Sequence, residues 1–162
     1  MTKIGIYPGS FDPITLGHLD IIHRSLHVVD KLIVAVSDNK SKNHMISTDD
    51  RLKLIRQTIQ SLPEDLQKKI EIEKFDNLLV HYVKSKKASL IIRGLRAVSD
   101  FEYEFLMTGM NRTIDNEIET IFLMSAEKYH FISSRFIKEI HKLGGDISKS
   151  VPKPVLDFLS KI

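Results

Sequence analysis

Cysteine is absent from the 162-residue chain. Disulfides, thiolate metal sites and cysteine nucleophiles are excluded, and a reducing, cytoplasmic location is expected. No apolar run approaches membrane-spanning length, so no membrane partner is expected. The short apolar stretch before the first glycine-proline turn is too brief for a signal-peptide core. Gly-x-x-x-x-Gly-Lys and Gly-x-Gly-x-x-Gly are both missing, which removes the main support for kinase and dehydrogenase readings. Lysines and arginines are not concentrated on one segment interleaved with aromatics, so no nucleic-acid partner is expected. The net charge of +3 fits a small anionic ligand such as a phosphate.

What is present describes a globular chain. Apolar residues make up 42% and charged residues 28%, and the length suits one domain over residues 1–162. Strand-like runs alternate with helix-like ones. Lys3–Tyr7, Lys31–Val36, Lys69–Phe75, Ser89–Arg93 and Ile118–Met124 read as strands. Helices are expected at Ile14–Val29, Asp49–Leu62, Leu78–Lys86 and Ser99–Thr113, from Ser133 to Gly144–Gly145, and at Val155–Ile162. This order predicts an α/β fold: a single-domain, Rossmann-like, doubly wound parallel sheet with helices on both faces. Ligands of such sheets bind beyond the carboxyl ends of the strands. Chemistry is therefore expected in Pro8–His18, Asp38–Met45, Asn77–Leu79, Arg93–Val98 and Ser125–Arg135.

Three strings stand at those ends. Residues 7–18 read Tyr-Pro-Gly-Ser-Phe-Asp-Pro-Ile-Thr-Leu-Gly-His. Gly9 lets backbone amides approach a phosphate, Gly17 leaves room for a nucleotide above the first helical turn, and His18 supplies a donor there. Residues 91–104 read Ile-Ile-Arg-Gly-Leu-Arg-Ala-Val-Ser-Asp-Phe-Glu-Tyr-Glu. The guanidinium forks of Arg93 and Arg96 suit phosphate oxygens, although ion pairs with Asp100 or Glu104 would use the same groups. Residues 131–139 read Phe-Ile-Ser-Ser-Arg-Phe-Ile-Lys-Glu, where serines at a helix start offer hydroxyls and free amides to an anion. His23 and His27 lie four apart, as zinc pairs do, but no third ligand accompanies them and no metal is expected on protein ligands. Phe11, Phe101, Phe105, Phe122 and Phe131 are expected in the core.

The first string resembles the nucleotidyltransferase superfamily marked by His-x-Gly-His. Here Thr15 replaces the first histidine, and Thr-x-Gly-His is the form of the phosphopantetheine adenylyltransferase branch. Arg-Gly-Leu-Arg followed by Asp-Phe-Glu-Tyr-Glu matches the same family, and Ile-Ser-Ser resembles the superfamily's second ATP motif. The resemblance covers nearly the whole chain. It implies transfer of AMP from ATP to 4′-phosphopantetheine, giving dephospho-coenzyme A and pyrophosphate, the penultimate step of coenzyme A synthesis.

The resemblance also implies site residues. His18, Lys42, Ser10 and Arg96 would carry the transfer. ATP would contact Ser10, Phe11, His18, Gly94, Leu95, Arg96, Glu104, Tyr129, His130, Phe131, Ile132, Ser133, Ser134 and Arg135. Arg135 stands where related enzymes often have Ser or Thr. The acceptor would contact Ser10, Lys42, Leu79 and Arg93. Mg²⁺ is implied between the phosphates, and a homohexamer as the assembly. Two alternatives remain at this point: a related nucleotidyltransferase with a nicotinate-mononucleotide, choline-type or glycerol-type phosphate acceptor, and a non-catalytic nucleotide-binding module.

Overall fold

The computed structural model describes residues 2–39 and 41–162, with Ser99 described in its backbone only. Met1 and Lys40, the latter within the expected Asp38–Met45 segment, lie outside the described residues. The strands are β1 (Ile4–Gly9), β2 (Lys31–Ser37), β3 (Ile70–Phe75), β4 (Leu90–Leu95) and β5 (Glu119–Met124). The helices are α1 (Leu16–Ser25), α2 (Thr48–Ile59), α3 (Glu64–Gln67), α4 (Leu79–Ser85), α5 (Val98–Ile114), α6 (Ser134–Lys142) and α7 (Lys153–Leu159).

The five strands pair in parallel in the order β3-β2-β1-β4-β5. Alternate residues of one strand bury on opposite faces. Tyr7, Leu32, Val34, Val36 and Ile92 join α1, α2 and α7 in one core. Ile6, Ile33, Ala35 and Ile91 pack with Val80, Tyr82 and Val83 of α4 in the other. The expected α/β fold with helices on both faces is observed. Chain order reverses between β1 and β4, so the connections leaving those strands diverge and open a crevice at the carboxyl edge.

Several boundaries differ from the sequence reading. The first helix ends at Ser25 rather than Val29, and the Ser25 hydroxyl donates back to the Ile21 carbonyl at 2.6 Å in its last turn. Leu26 and His27 then close tight turns on the carbonyls three residues back, which keeps Val29 in the core without helix. The short α3 behind Pro63 was not expected. β4 runs through Gly94, where a Cβ would lie 2.9 Å from Ile21 Cγ1, so glycine permits the strand to pass close under α1.

The aromatic set is corrected. Phe11 is 2% exposed, but Phe101, Phe105 and Phe131 are 43%, 60% and 88% exposed. Periodicity marks an apolar helix face; it does not say whether the chain's own sheet covers that face. Among the described residues no helix is long and apolar enough to cross a membrane.

Candidate active site

Thr15 caps α1, and its side-chain oxygen accepts the His18 amide at 3.3 Å. His18 Nδ1 in turn accepts the Thr15 amide at 3.0 Å. An amide N–H can only donate, so Nδ1 must be the acceptor and the ring proton belongs on Nε2. This reciprocal cap is a capping box with histidine in place of the usual Glu or Gln. Burial, then the nearby charges of Arg96 and Arg93, lower the His18 pKa to about 4. At neutral pH the side chain is therefore an uncharged Nε2–H donor. Phe11 backs the ring edge-on at 5.0 Å, and its backbone has φ +48°, an uncommon conformation for a non-glycine residue.

His18 borders a crevice cavity of about 450 Å³ with Arg96, Gly94, Ser133, Ser134 and Arg135. Arg96 is held by Asp100, with Nε 3.0 Å from Oδ2, and donates to the Ile132 carbonyl at 3.1 Å. Arg93 Nε donates to Glu104 at 2.7 Å and Nη1 to the Pro8 carbonyl at 2.6 Å, and Nη2 completes a two-point pair with Glu104. Both carboxylates weighed at the sequence level are thus present. They fix the forks at the cavity wall rather than on a remote surface. Ser133 caps α6 through the Phe136 amide at 3.1 Å, while Ser134 donates to the Pro13 carbonyl at 2.8 Å. These contacts aim the start of α6 at the crevice, where the positive end of a helix favours an anion.

A second cavity of about 300 Å³ adjoins the first, sharing Ser10, Arg93 and Glu104, and adds Lys42 and Leu79. A third, of about 430 Å³, brings Lys42 together with His18, Ser134 and Lys138. Ser10 borders all three. The expected residues Ser10, Phe11, His18, Lys42, Leu79, Arg93, Gly94, Arg96, Glu104, Ile132, Ser133, Ser134 and Arg135 therefore lie around one joined space. Leu95, Tyr129, His130 and Phe131 do not line it. Leu95 faces inward at 7% exposed, and Phe131 faces outward. His130 Nε2 pairs with the Ser125 carbonyl at 2.9 Å. The room expected above Gly17 is only partly open: a Cβ there would meet Tyr129 Cβ at 3.7 Å. Outside the crevice, the His23 and His27 rings meet edge to face at 5.6 Å.

Sequence reasoning missed Asp12 and Arg51. Asp12 is 3% exposed and accepts the Met45 and Ile46 amides at 3.1 and 2.9 Å and Lys138 Nζ at 2.8 Å. Burial opposes its charge, but Lys138 and the two amides prevail and hold the carboxyl below its usual range. Arg51 shared the apolar stripe of α2, three, four and seven residues before Leu54, Ile55 and Thr58. That spacing was the available signal for a buried cation.

Residues 6–140 match the family model described as cytidylyltransferase-like. The fold is shared with the solved Plasmodium falciparum nicotinic acid mononucleotide adenylyltransferase complexed with NaAD. That likeness has a TM-score of 0.73 at 18% identity, covering 99% of this chain and 96% of that one. The family model, over most of a chain with this fold, places the protein in the cytidylyltransferase-like class of nucleotidyltransferases. Within that class the Acidiphilium cryptum phosphopantetheine adenylyltransferase is 51% identical over 154 residues, 95% of this chain and 91% of that one. The Alkaliphilus metalliredigens phosphopantetheine adenylyltransferase is 49% identical over 159 residues, 98% of each chain. The chain belongs to the phosphopantetheine adenylyltransferase family.

Proposed function

We propose that the protein transfers AMP from ATP to the phosphate of 4′-phosphopantetheine, forming dephospho-coenzyme A and releasing pyrophosphate. The observation that carries this reading is the convergence of His18, Lys42, Arg93 and Arg96 on cavities joined at Ser10. Family membership supplies the acceptor. A phosphomonoester has its second pKa at about 6 and is already a nucleophile at neutral pH, so no side-chain base is needed. The acceptor oxygen attacks the α-phosphorus, the bond to the bridging oxygen breaks, and pyrophosphate leaves with that electron pair.

The residues then divide by chamber. Neutral His18 donates Nε2–H to the α-phosphate as negative charge gathers there, a preorganised donor of the oxyanion-hole kind. Lys42 and Ser10 hold the incoming phosphate in line. Arg96, Ser133, Ser134 and Arg135 take the β- and γ-phosphates. Arg93 and Leu79 border the pantetheine arm, and Phe11, Gly94 and Glu104 border the nucleotide. The donor set fits Mg²⁺ bound through phosphates, because Asp100 and Glu104 in the crevice are already engaged by Arg96 and Arg93. When bound, the ion would offset charge on the triphosphate.

Three observations also support association as a homohexamer: the family resemblance, the exposed apolar side chains Phe105, Leu106 and Met110 on α5, and Phe136 and Ile140 on α6 with Leu143 at its C-cap. Light scattering should give about six times the 18.6 kDa chain. A cytoplasmic site of action accords with the cysteine-free composition.

The test is pyrophosphate release from ATP and Mg²⁺ across a panel of 4′-phosphopantetheine, nicotinate mononucleotide, phosphocholine and glycerol 3-phosphate, repeated with CTP. Release with ATP and 4′-phosphopantetheine alone is expected. Preference for another acceptor, or ATP binding without release, would refute the assignment.

A further inference from the structure

Arg51 is 2% exposed although charged, and the transfer just described does not use it. Its Nε donates to the Ile46 carbonyl at 3.1 Å. Its Nη1 donates to the carbonyls of Ser10 at 2.6 Å and Ser37 at 3.1 Å. Its Nη2 donates to Thr48 Oγ1 at 2.8 Å, and that hydroxyl donates onward to Asp38 at 2.6 Å.

Three of these acceptors are backbone points that fix the acceptor side of the crevice. Ser10 is the residue common to all three cavities. Ser37 ends β2 and lines the smaller cavity. Ile46 closes the loop that carries Lys42. Asp12 takes the Ile46 amide from the other side at 2.9 Å, so the two peptide groups of Ile46 are held between a carboxylate and a guanidinium. A planar fork of N–H donors can serve four acceptors in different directions at once. An ammonium has three donors at a single point and cannot span them. The phosphate-clamping residues Arg96, Ser133 and Ser134 are reached through β4 and α6, and Arg51 bonds to neither.

We propose that Arg51 is a positioning residue for the transfer, setting the Ser10 turn and the Lys42 loop in the arrangement that receives the acceptor phosphate. This rests on the assignment of Ser10 and Lys42 to that phosphate.

The test uses the full chain carrying Arg51→Lys and, as a milder change that keeps the arginine, Thr48→Val. Arg51→Lys should raise KM for 4′-phosphopantetheine on the order of tenfold or more while KM for ATP stays within about twofold. Thr48→Val should move the same constant in the same direction by less. Amide hydrogen exchange should quicken roughly tenfold over residues 41–48, with β1 and β4 unchanged. Unchanged KM values with unchanged exchange would overturn the proposal. So would equal rises for both substrates with uniformly faster exchange, which would make Arg51 a general support of the fold. Should the wild type release no pyrophosphate, the reaction assignment falls by itself. The exchange pattern of Arg51→Lys then still supports or overturns the hold of Arg51 on the loop.

Discussion

Acidification isolates the state of His18. In the unfolded chain a histidine titrates near 6.5, whereas in the fold burial and then Arg96 and Arg93 bring this one down to about 4. Between those values the unfolded chain binds a proton that the folded chain rejects. Stability therefore falls as pH drops from about 6.5 toward 4 and levels off below, the direction required for a lowered histidine pKa. At about 1.4 kcal/mol per pH unit the full gap corresponds to roughly 3 kcal/mol, most of it lost by about pH 4.5. Urea unfolding of wild type and His18→Asn at fixed protein concentration should resolve this. Between pH 7 and 4.5 the wild type should lose about 2–3 kcal/mol more than the variant. Carboxylates such as Asp12 titrate in both chains and cancel in the comparison. ¹⁵N NMR of labelled histidine should show a neutral ring protonated on Nε2 at pH 6. Equal acid sensitivity of the two chains, or a His18 midpoint near 6.5, would refute the donor assignment.

Other expectations follow from the same geometry. His18→Ala should lower kcat by on the order of a hundredfold or more, about 3 kcal/mol of barrier, while ATP affinity by calorimetry changes little. Lys42→Ala should act chiefly on the acceptor, raising KM for 4′-phosphopantetheine in steady-state assays with ATP saturating. Asp12→Asn leaves Lys138 without its counter-charge and weakens the hold on the Met45 and Ile46 amides; denaturant unfolding at pH 7 should register a loss of roughly 1–3 kcal/mol. Gly94→Ala forces a methyl to within 2.9 Å of Ile21 Cγ1. It should destabilise by about 1–3 kcal/mol, and in a double-mutant cycle Ile21→Ala, which removes that γ carbon, should cancel part of the added cost.

Most of the fold could be read from residue order, because buried parallel strands and amphipathic helices carry distinct periods. All five segments singled out at strand ends do lie at the carboxyl edge of the sheet. Two kinds of feature were not legible. The first is where an apolar face ends up: Phe101 and Phe105 recur at helical spacing like core residues, yet the chain leaves them open. The second is interior polar bonding between distant loops. The place of Arg51 in the apolar stripe of α2 signals burial, but not that Ser10, Ser37 and Ile46, distant in the chain, would gather around its guanidinium. Arg93 and Arg96 were legible as a pair, but a string cannot say that their carboxylate partners orient them into a shared cavity rather than neutralise them elsewhere. The motifs also imply Leu95 and Tyr129 to Phe131, none of which lines the joined cavities, although Tyr129 lies against Gly17 at their edge.

Ser10, at the junction of three hollows, has a consequence for turnover. Each starting material needs to reach only its own side of that residue. The product is one continuous molecule lying past it, and must be drawn out lengthwise. Crowding at position 10 should therefore slow departure more than arrival, and a bulkier residue there would first be felt as a trapped product.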